Sequence, residues 1–279
     1  MNNKRSYFNS SDIEIINPKI KLGKIKFAIF DFDGTISLIR SGWQQIMIPM
    51  MVDILMQTPG HENRNKIENI VLNYVTRTTG KQTIYQMIRL AEEVEKRGGA
   101  PKDPLVYKNQ YHDLLMSHIN DRVEGLRCNK YPSKDWAVPG ALGMLEATKH
   151  LNINCFLASG TDEKYVVDEA DLLGVSNYFN SIFGAVDDYE NFSKKLVIQK
   201  IIRDNKLTGP ELIAFGDGYV EIEDTKSAGG IAVGVATNEA ERQGIDEWKR
   251  ERLISSGADI IMPDFRQYQT LLEYLWGEE

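Results

Sequence analysis

The sequence predicts an α/β protein with a parallel sheet covered by helices on both faces, and a separate block of helices inserted after the first strand. Short apolar runs alternate with helical patterns at residues 27–30 and again from about residue 130 onward. Such alternation is typical of strand–helix–strand units with right-handed crossovers and a parallel sheet. Between residues 41 and 129 the apolar residues follow only the helical period, so this segment predicts no strand.

The predicted strands are short runs of mostly apolar residues. They occupy residues 27–30, 153–158, 182–186, 212–215, 231–235 and 260–262. Helical patterns lie between them at residues 141–150, 162–173, 194–205 and 221–228. Runs that carry no polar face indicate strands that are buried on both sides of the sheet.

The inserted block has four stretches in which apolar residues recur at i, i+3 and i+4. They lie within residues 46–55, 67–75, 84–91 and 107–123. This spacing predicts four amphipathic helices that pack as a small bundle. We therefore divide the chain into an N-terminal extension (1–24), a core (25–40 and 130–279) and a helical cap (41–129). The polar extension predicts either an arm or an edge strand.

Composition excludes several classes of protein. The 279 residues include 33 Lys and Arg against 40 Asp and Glu, a net charge of −7, which disfavours a nucleic-acid partner. No apolar stretch is long enough for a membrane span, and the first residues lack the apolar core of a secretory signal. Cys128 and Cys155 lack C-x-x-C spacing, and no histidine pair has metal-binding spacing. We expect a cytoplasmic protein and leave its oligomeric state open.

The first predicted strand stops at two acids. Residues 27–35 read F-A-I-F-D-F-D-G-T, and a turn at Gly34 would bring Asp33 round toward Asp31. Two carboxylates about 4 Å apart repel by about 4 kcal/mol at an effective dielectric near 20. Both therefore stay ionised only beside a cation, and otherwise one of them holds a proton.

A second strand ends in the same way, at Gly216-Asp217-Gly218. If both strands are central in the sheet, Asp217 faces Asp31 and Asp33, and three sets of hard oxygen ligands favour magnesium. The structural alternative makes Asp217 a turn residue and Glu221 an acid at a helix start, where the helix dipole favours it.

Two further residues are candidates for binding an anion. Ser159 and Gly160 end the 153–158 strand, where a hydroxyl and backbone N–H groups at a helix start can hold phosphoryl oxygens. Ser159 alone is also a common helix cap. Lys194-Lys195 opens a helix, where the dipole disfavours a cation unless that cation points to solvent or meets an anion.

In this order, the four elements resemble the motifs of the haloacid dehalogenase superfamily, in its phosphoglycolate phosphatase-like branch. The D-x-D-G-T motif of that family is similar to residues 31–35, its strand-final Ser or Thr to Ser159, and its helix-opening Lys to Lys194. Its G-D-x-x-x-D motif is similar to residues 216–221, although Glu221 stands where Asp is usual. The apolar spacing of the helix suits Lys194 better than Lys195.

The resemblance covers residues 25 to about 275. It implies a Rossmann-like core and a helical cap inserted between the first and second motifs, where the helical block lies. Because Glu221 departs from the pattern, Asp224 is an alternative for the outer metal contact.

The resemblance also implies a chemistry. Asp31 would attack phosphorus and form an aspartyl-phosphate, and Asp33 would protonate the leaving alcohol and later activate water. Mg²⁺ would be held by Asp31, Asp33 and Asp217, with Glu221 as a further contact. Ser159, Gly160 and Lys194 would hold the phosphoryl oxygens while Thr35 supports the first loop. The expected partner is a small phosphorylated metabolite, a sugar phosphate or a phosphoglycolate-like ester.

Substrate selection is expected in the cap. Residues 78–83 join two cap helices where related proteins carry a substrate-selecting loop, so Gly80 and Lys81 are candidates for contacting a second anionic group or a sugar hydroxyl. An ordinary solvated turn accounts for the same residues.

Three other functions are compatible with parts of the pattern. A phosphomutase would use the same acids, and isomer formation rather than phosphate release would identify it. A hydrolase of carbon–halogen bonds needs neither Asp33 nor a metal. A non-catalytic binding protein on this scaffold should have lost an essential acid, and none is lost here.

Overall fold

A computed structural model of the chain describes residues 5–186 and 193–276. In this part of the chain a seven-stranded sheet forms, with the strand order β1-β7-β6-β5-β2-β3-β4. All neighbouring strands are parallel except β1 and β7, which are antiparallel. The strands are β1 Glu14–Ile15, β2 Phe27–Phe30, β3 Asn154–Asp162, β4 Ser181–Ala185, β5 Leu212–Gly216, β6 Ile231–Val235 and β7 Ile260–Met262.

The helices of the described residues cover the sheet and form the inserted block. They are α1 Gln44–Leu55, α2 Arg64–Thr78, α3 Thr83–Lys96, α4 Pro104–Arg127, α5 Ala141–His150, α6 Glu163–Leu172, α7 Lys194–Asn205, α8 Tyr219–Ser227, α9 Glu247–Ser255 and α10 Tyr268–Trp276. None of them is both long and apolar enough to cross a bilayer.

The predicted α/β class with a mainly parallel sheet is confirmed, and the inserted segment consists of α1 to α4. β5 and β6 are buried along their whole length, as expected for strands covered on both faces. The division into extension, core and cap remains a prediction. Residues 1–4 of the extension lie outside the described residues. Of the two alternatives for the extension, an arm or an edge strand, β1 is an edge strand of the sheet.

Two features differ from the predicted elements. β3 continues to Asp162 through an irregularity after Ala158, although the strand was expected to end at Ala158 and a helix to begin at Asp162. Helices α9 and α10 were not predicted. In α9 the buried face is reduced to Leu253, so its sequence carries almost no apolar period.

The register of the central strands determines where the functional segments meet. β2 lies between β3 and β5, with Phe30 opposite both Leu157 and Phe215. Because the three strands are parallel and in register at Phe30, the residues after β2 and β5 and the last residues of β3 converge at one edge of the sheet.

Two glycines with left-handed backbone conformation allow a test of the packing around this sheet. Gly140 and Gly174 have φ values of 80° and 72°. A Cβ at Gly140 would lie 2.3 Å from the carbonyl carbon of Phe265, whereas a Cβ at Gly174 has no neighbour within 4 Å. We expect Gly174→Ala to lower the free energy of unfolding by about 1 kcal/mol, the cost of the left-handed conformation.

We expect Gly140→Ala to lower the free energy of unfolding by at least about twice as much, because the Phe265 backbone must also move. Urea denaturation of both variants measures the difference. Equal losses would contradict the predicted steric contribution.

Candidate active site

The site is a cavity of about 100 Å³ between the carboxyl ends of the central strands and the inserted helices. The sheet side contributes Asp31, Asp33, Gly160, Thr161, Lys194 and Asp217. The opposite side contributes Trp43, Met47, Thr79, Gly80, Lys81, Thr83, Gln86, Tyr111 and Leu115. The acids predicted at the ends of β2 and β5 therefore line one cavity.

Asp31 lies at the base of the cavity and is only 4 % exposed. Its Oδ1 accepts a hydrogen bond of 2.7 Å from Lys194 Nζ. Burial raises the pKa of the Asp31 carboxyl to about 6; the Lys194 ammonium opposes this rise and the charge of Asp217 adds to it. Asp31 is thus a buried carboxylate that a lysine holds and a second carboxylate repels.

Lys194 is the first residue of α7, and it is buried whereas Lys195 is exposed. Its ammonium group donates to Asp31 and also to Glu221 Oε1. A cation in the first turn opposes the helix dipole, and the two carboxylates offset this cost. Of the two candidate lysines, Lys194 is the one that enters the site.

Asp33 faces the extension of β3. Its Oδ2 accepts from Thr161 Oγ1 at 2.8 Å and from Ser159 Oγ at 3.3 Å. Its Oδ1 has no hydrogen-bond partner among the described residues, and Arg40 Nε lies 3.9 Å from it. Thr161 was missed by the sequence reasoning, because a strand that continues past Ser159 brings a second hydroxyl to Asp33.

Asp217 reaches the cavity because residue 34 has no side chain. A Cβ on Gly34 would lie 2.3 Å from Asp217 Oδ2, and the φ of Gly34 is +76°. Lys249 Nζ donates to Asp217 Oδ2 at 2.8 Å and to Glu239 Oε1 at 2.7 Å. Burial lowers the pKa of Lys249, but the two carboxylates outweigh it and raise this pKa above its usual value.

Lys249 and Glu239 were not found by sequence reasoning. Lys249 belongs to α9, whose weak apolar pattern left the helix unpredicted, and Glu239 lies in the preceding loop. No sequence signal connects a lysine and two acids separated by 10 and 32 positions.

Glu221 lies behind the cavity rather than in its wall. It is 1 % exposed, its Oε1 accepts from Lys194, and its Oε2 has no partner among the described residues. A Cβ on Gly218 would lie 2.6 Å from that Oε2, so the glycine makes room for it. The half-buried Asp224 does not line the cavity. In this structure Glu221 contacts Lys194, and its contact with a metal remains a prediction.

Of the other predicted site residues, Ser159 and Thr35 are buried beside the cavity without lining it. Ser159 Oγ accepts from the backbone N–H of Thr161 at 3.0 Å while donating to Asp33, so it orients that acid. Thr35 Oγ1 has no hydrogen-bond partner among the described residues.

The donor set fits a magnesium ion with few protein ligands. In the described ranges 5–186 and 193–276, no three acidic, histidine or cysteine side chains are arranged to hold a metal ion. Asp31 and Asp217 nevertheless line one cavity, and their charges repel each other. Mg²⁺ commonly binds through one or two carboxylates and completes its shell with water and phosphate oxygens.

The loop between α2 and α3 closes the cavity. A Cβ on Gly80 would lie 3.2 Å from Gly218 Cα, and one on Gly160 would lie 3.1 Å from the Lys81 carbonyl oxygen. Arg252 Nη2 donates to the carbonyl of Thr79 at 2.9 Å. The predicted substrate-selecting loop thus rests directly on Gly160 near the end of β3 and on the turn after β5.

Lys81 contributes its backbone carbonyl group to this contact. Its ammonium group lies 6.0 Å from the centroid of the Tyr85 ring, and the residue also borders an outer groove along α2 and α3.

The fold has many relatives among solved structures. A predicted phosphoglycolate phosphatase from Haemophilus somnus 129PT has a TM-score of 0.60 and 18% identity over 90% of this chain and 99% of its own. A β-phosphoglucomutase from Clostridium difficile has a TM-score of 0.60 and 15% identity over 90% and 97%. A predicted phosphatase from Clostridium acetobutylicum has a TM-score of 0.58 and 15% identity over 89% and 99%. At such identities the similarity shows the fold alone.

No curated protein matches the sequence. The family model of the haloacid dehalogenase-like hydrolases matches residues 28–236, which include the ends of β2, β3 and β5 and the first turn of α7. The match spans well over half of the 279 residues and contains Asp31, Asp33, Lys194 and Asp217. The chain therefore belongs to the haloacid dehalogenase-like hydrolase family.

Proposed function

We propose that this protein is a magnesium-dependent phosphatase that hydrolyses a small phosphate monoester through a phosphorylated Asp31. The observation that carries the proposal is the environment of Asp31. It lies at the base of a small cavity beside a buried lysine, with a second acid, Asp33, oriented by two hydroxyl groups.

In the first step a carboxylate oxygen of Asp31 attacks phosphorus. An Asp31–O–P bond forms, the bond from phosphorus to the ester oxygen breaks, and a proton from Asp33 converts the leaving oxygen to an alcohol. In the second step Asp33 takes a proton from water, which attacks phosphorus. Inorganic phosphate leaves, Asp31 is again a carboxylate, and Asp33 holds its proton for the next cycle.

The contacts of Asp33 suit this double role. Thr161 and Ser159 hold Oδ2, so that Oδ1 is the oxygen left to carry the proton. The guanidinium of Arg40 lies 3.9 Å from Oδ1, so a cation stands beside the oxygen that would transfer the proton.

Lys194 offsets the negative charge that gathers when a phosphate approaches Asp31. Its ammonium is held between Asp31 and Glu221, so little reorganisation is needed during the reaction. A magnesium ion at Asp31, the Asp33 carbonyl and Asp217 would supply further charge neutralisation at the phosphate. Lys249 keeps Asp217 in place for that role.

The phosphomutase alternative uses the same acids, so the fold and the acid set do not separate the two activities. Release of inorganic phosphate favours the phosphatase. Conversion of a hexose phosphate to its isomer without net phosphate release favours the mutase.

Replacing the nucleophile tests the proposal directly. We expect Asp31→Asn to lower turnover of para-nitrophenyl phosphate in the presence of Mg²⁺ by at least about 1,000-fold, because the amide oxygen is a poor nucleophile. The control is Asp204→Asn, a surface substitution on α7 whose side chain is 49% exposed. We expect it to keep wild-type turnover. Full turnover by Asp31→Asn would refute the assignment.

The raised pKa of Asp31 makes a second prediction, for protein freed of divalent ions with a chelator. Between pH 3.8 and about 6 the folded protein binds a proton at Asp31 that the unfolded chain has released. The free energy of unfolding of the wild type should therefore fall as pH rises through this range, relative to that of Asp31→Asn.

Urea denaturation at several pH values measures this difference. Above pH 6 the two stability curves should run parallel again. Parallel curves across the whole range would show that Asp31 keeps its ordinary pKa.

A further inference from the structure

We infer that the cavity selects a phosphate ester whose leaving group is uncharged and rich in hydroxyl groups, such as a polyol or sugar, and discriminates against one that carries a second anionic group. This inference rests on the proposed phosphatase activity. Two sets of observations carry it: the pairing of the cations in the cavity wall, and the neutral polar groups opposite Asp31.

Three cationic side chains line the cavity in the described part of the chain: Arg40, Lys81 and Lys194. Lys194 is engaged by Asp31 and Glu221 at the phosphate end. Any second anion would therefore depend on Arg40 or Lys81.

Arg40 is already neutralised by a buried acid. Its Nε and Nη2 donate to Glu169 at 2.6 to 3.1 Å in a bidentate pair, and both residues are at most 7 % exposed. Asp33 Oδ1 lies 3.9 Å from the same guanidinium. A carboxylate or second phosphate at this point would be a second negative charge beside Glu169 around one cation, and a third once Asp33 releases its proton; such like charges repel strongly in a buried site.

Lys81 presents its backbone rather than its charge. Its ammonium lies over the Tyr85 ring at 6.0 Å, and the residue is exposed beside the outer groove. Solvent screens a charge in that position, so its attraction for an anion inside the cavity is weak.

The charge count of the cavity wall agrees with this interpretation. Among the described residues the wall carries four acids, Asp31, Asp33, Asp217 and Glu239, and three cations. With Asp33 protonated, as the proposed first step requires, three charged acids and three cations give 3 − 3 = 0. A divalent ion would bring the sum to about +2, which a phosphate dianion offsets. No surplus positive charge remains on the described wall for a second anion.

The wall opposite Asp31 offers neutral hydrogen-bonding groups. Gln86 and Tyr111 are 3 % and 6 % exposed, and their side chains make no hydrogen bond to other described residues. Burial raises the pKa of the Tyr111 hydroxyl, so it remains protonated at neutral pH. Both residues line the cavity, so a ligand that carries hydroxyl groups can form hydrogen bonds with them.

Apolar side chains alternate with these groups in the same wall, namely Trp43, Met47 and Leu115. An amide, hydroxyl groups and apolar surface together match the alternating hydroxyl and C–H groups of a polyol or sugar.

The test uses two esters that differ at one group. Glycerol phosphate ends in a hydroxymethyl group, and the corresponding phosphoglycerate ends in a carboxylate. We expect kcat/KM of the wild-type protein with Mg²⁺ to be at least about tenfold higher for glycerol phosphate, equivalent to about 1.4 kcal/mol. Equal or higher kcat/KM for phosphoglycerate overturns the inference and leaves the proposed function intact. Failure to hydrolyse any ester, para-nitrophenyl phosphate included, overturns the proposed function and the inference with it.

Two substitutions test the assigned residues. Glu169→Gln releases the charge of Arg40 with little change of shape, so the preference for glycerol phosphate over phosphoglycerate should fall at least about fivefold. Gln86→Leu should raise KM for glycerol phosphate more than KM for para-nitrophenyl phosphate. The control is Glu68→Gln, a half-exposed surface position on α2 that should keep the wild-type preference.

An unchanged preference in a folded Glu169→Gln protein, or equal effects of Gln86→Leu on both esters, contradicts the inference. Circular dichroism establishes that each variant is folded. If Glu169→Gln does not fold, Gln86→Leu and the two esters on the wild-type protein still decide the question.

Discussion

The structure depends on one buried arrangement of charge, the ammonium of Lys194 between the carboxylates of Asp31 and Glu221. All three groups are at most 5 % exposed, and burying an ion without a partner costs several kcal/mol. The end of β2 and the first turns of α7 and α8 must therefore meet at one point. The strand order places β2 beside β5, and so brings Asp31 at the end of β2 close to Glu221 in the helix that follows β5. The charge arrangement therefore depends on the sheet topology, and the topology on the charge arrangement.

A second constraint is the close approach of the inserted helices to the core. Glycines allow this approach, since Gly80 contacts Gly218 and Gly160 contacts the backbone of Lys81. Helix α9 takes part in both halves of the site. Lys249 in this helix holds Asp217, and Arg252, three positions later, holds the loop carbonyl of Thr79. One short helix thus links the acid to the loop that covers it.

The sheet and the acids of the site were predictable because their signals are local. The apolar run before Asp31, and the similar run before Asp217, each show a buried strand and its end. Lys249 and Arg40 were not predictable, since their partners lie 32 and 129 positions away and their segments carry no comparable pattern. Thr161 was missed because β3 continues through an irregularity that no residue pattern indicates. The apolar spacing of α7 favoured Lys194 over Lys195, and in the structure Lys194 is buried whereas Lys195 is exposed.

The most direct test of this account is to stop the reaction with acid during turnover of para-nitrophenyl phosphate with Mg²⁺ and to locate the bound phosphate by peptide mass spectrometry. Acid denatures the protein and so stops the catalysed hydrolysis of the acyl phosphate, which then persists long enough in the cold to be located. The account predicts a phosphoryl group on Asp31, at the end of β2, that disappears when the substrate is exhausted. Turnover accompanied by a phosphoryl group on a different residue, or by none under conditions that trap acyl phosphates, would contradict a mechanism built on Asp31.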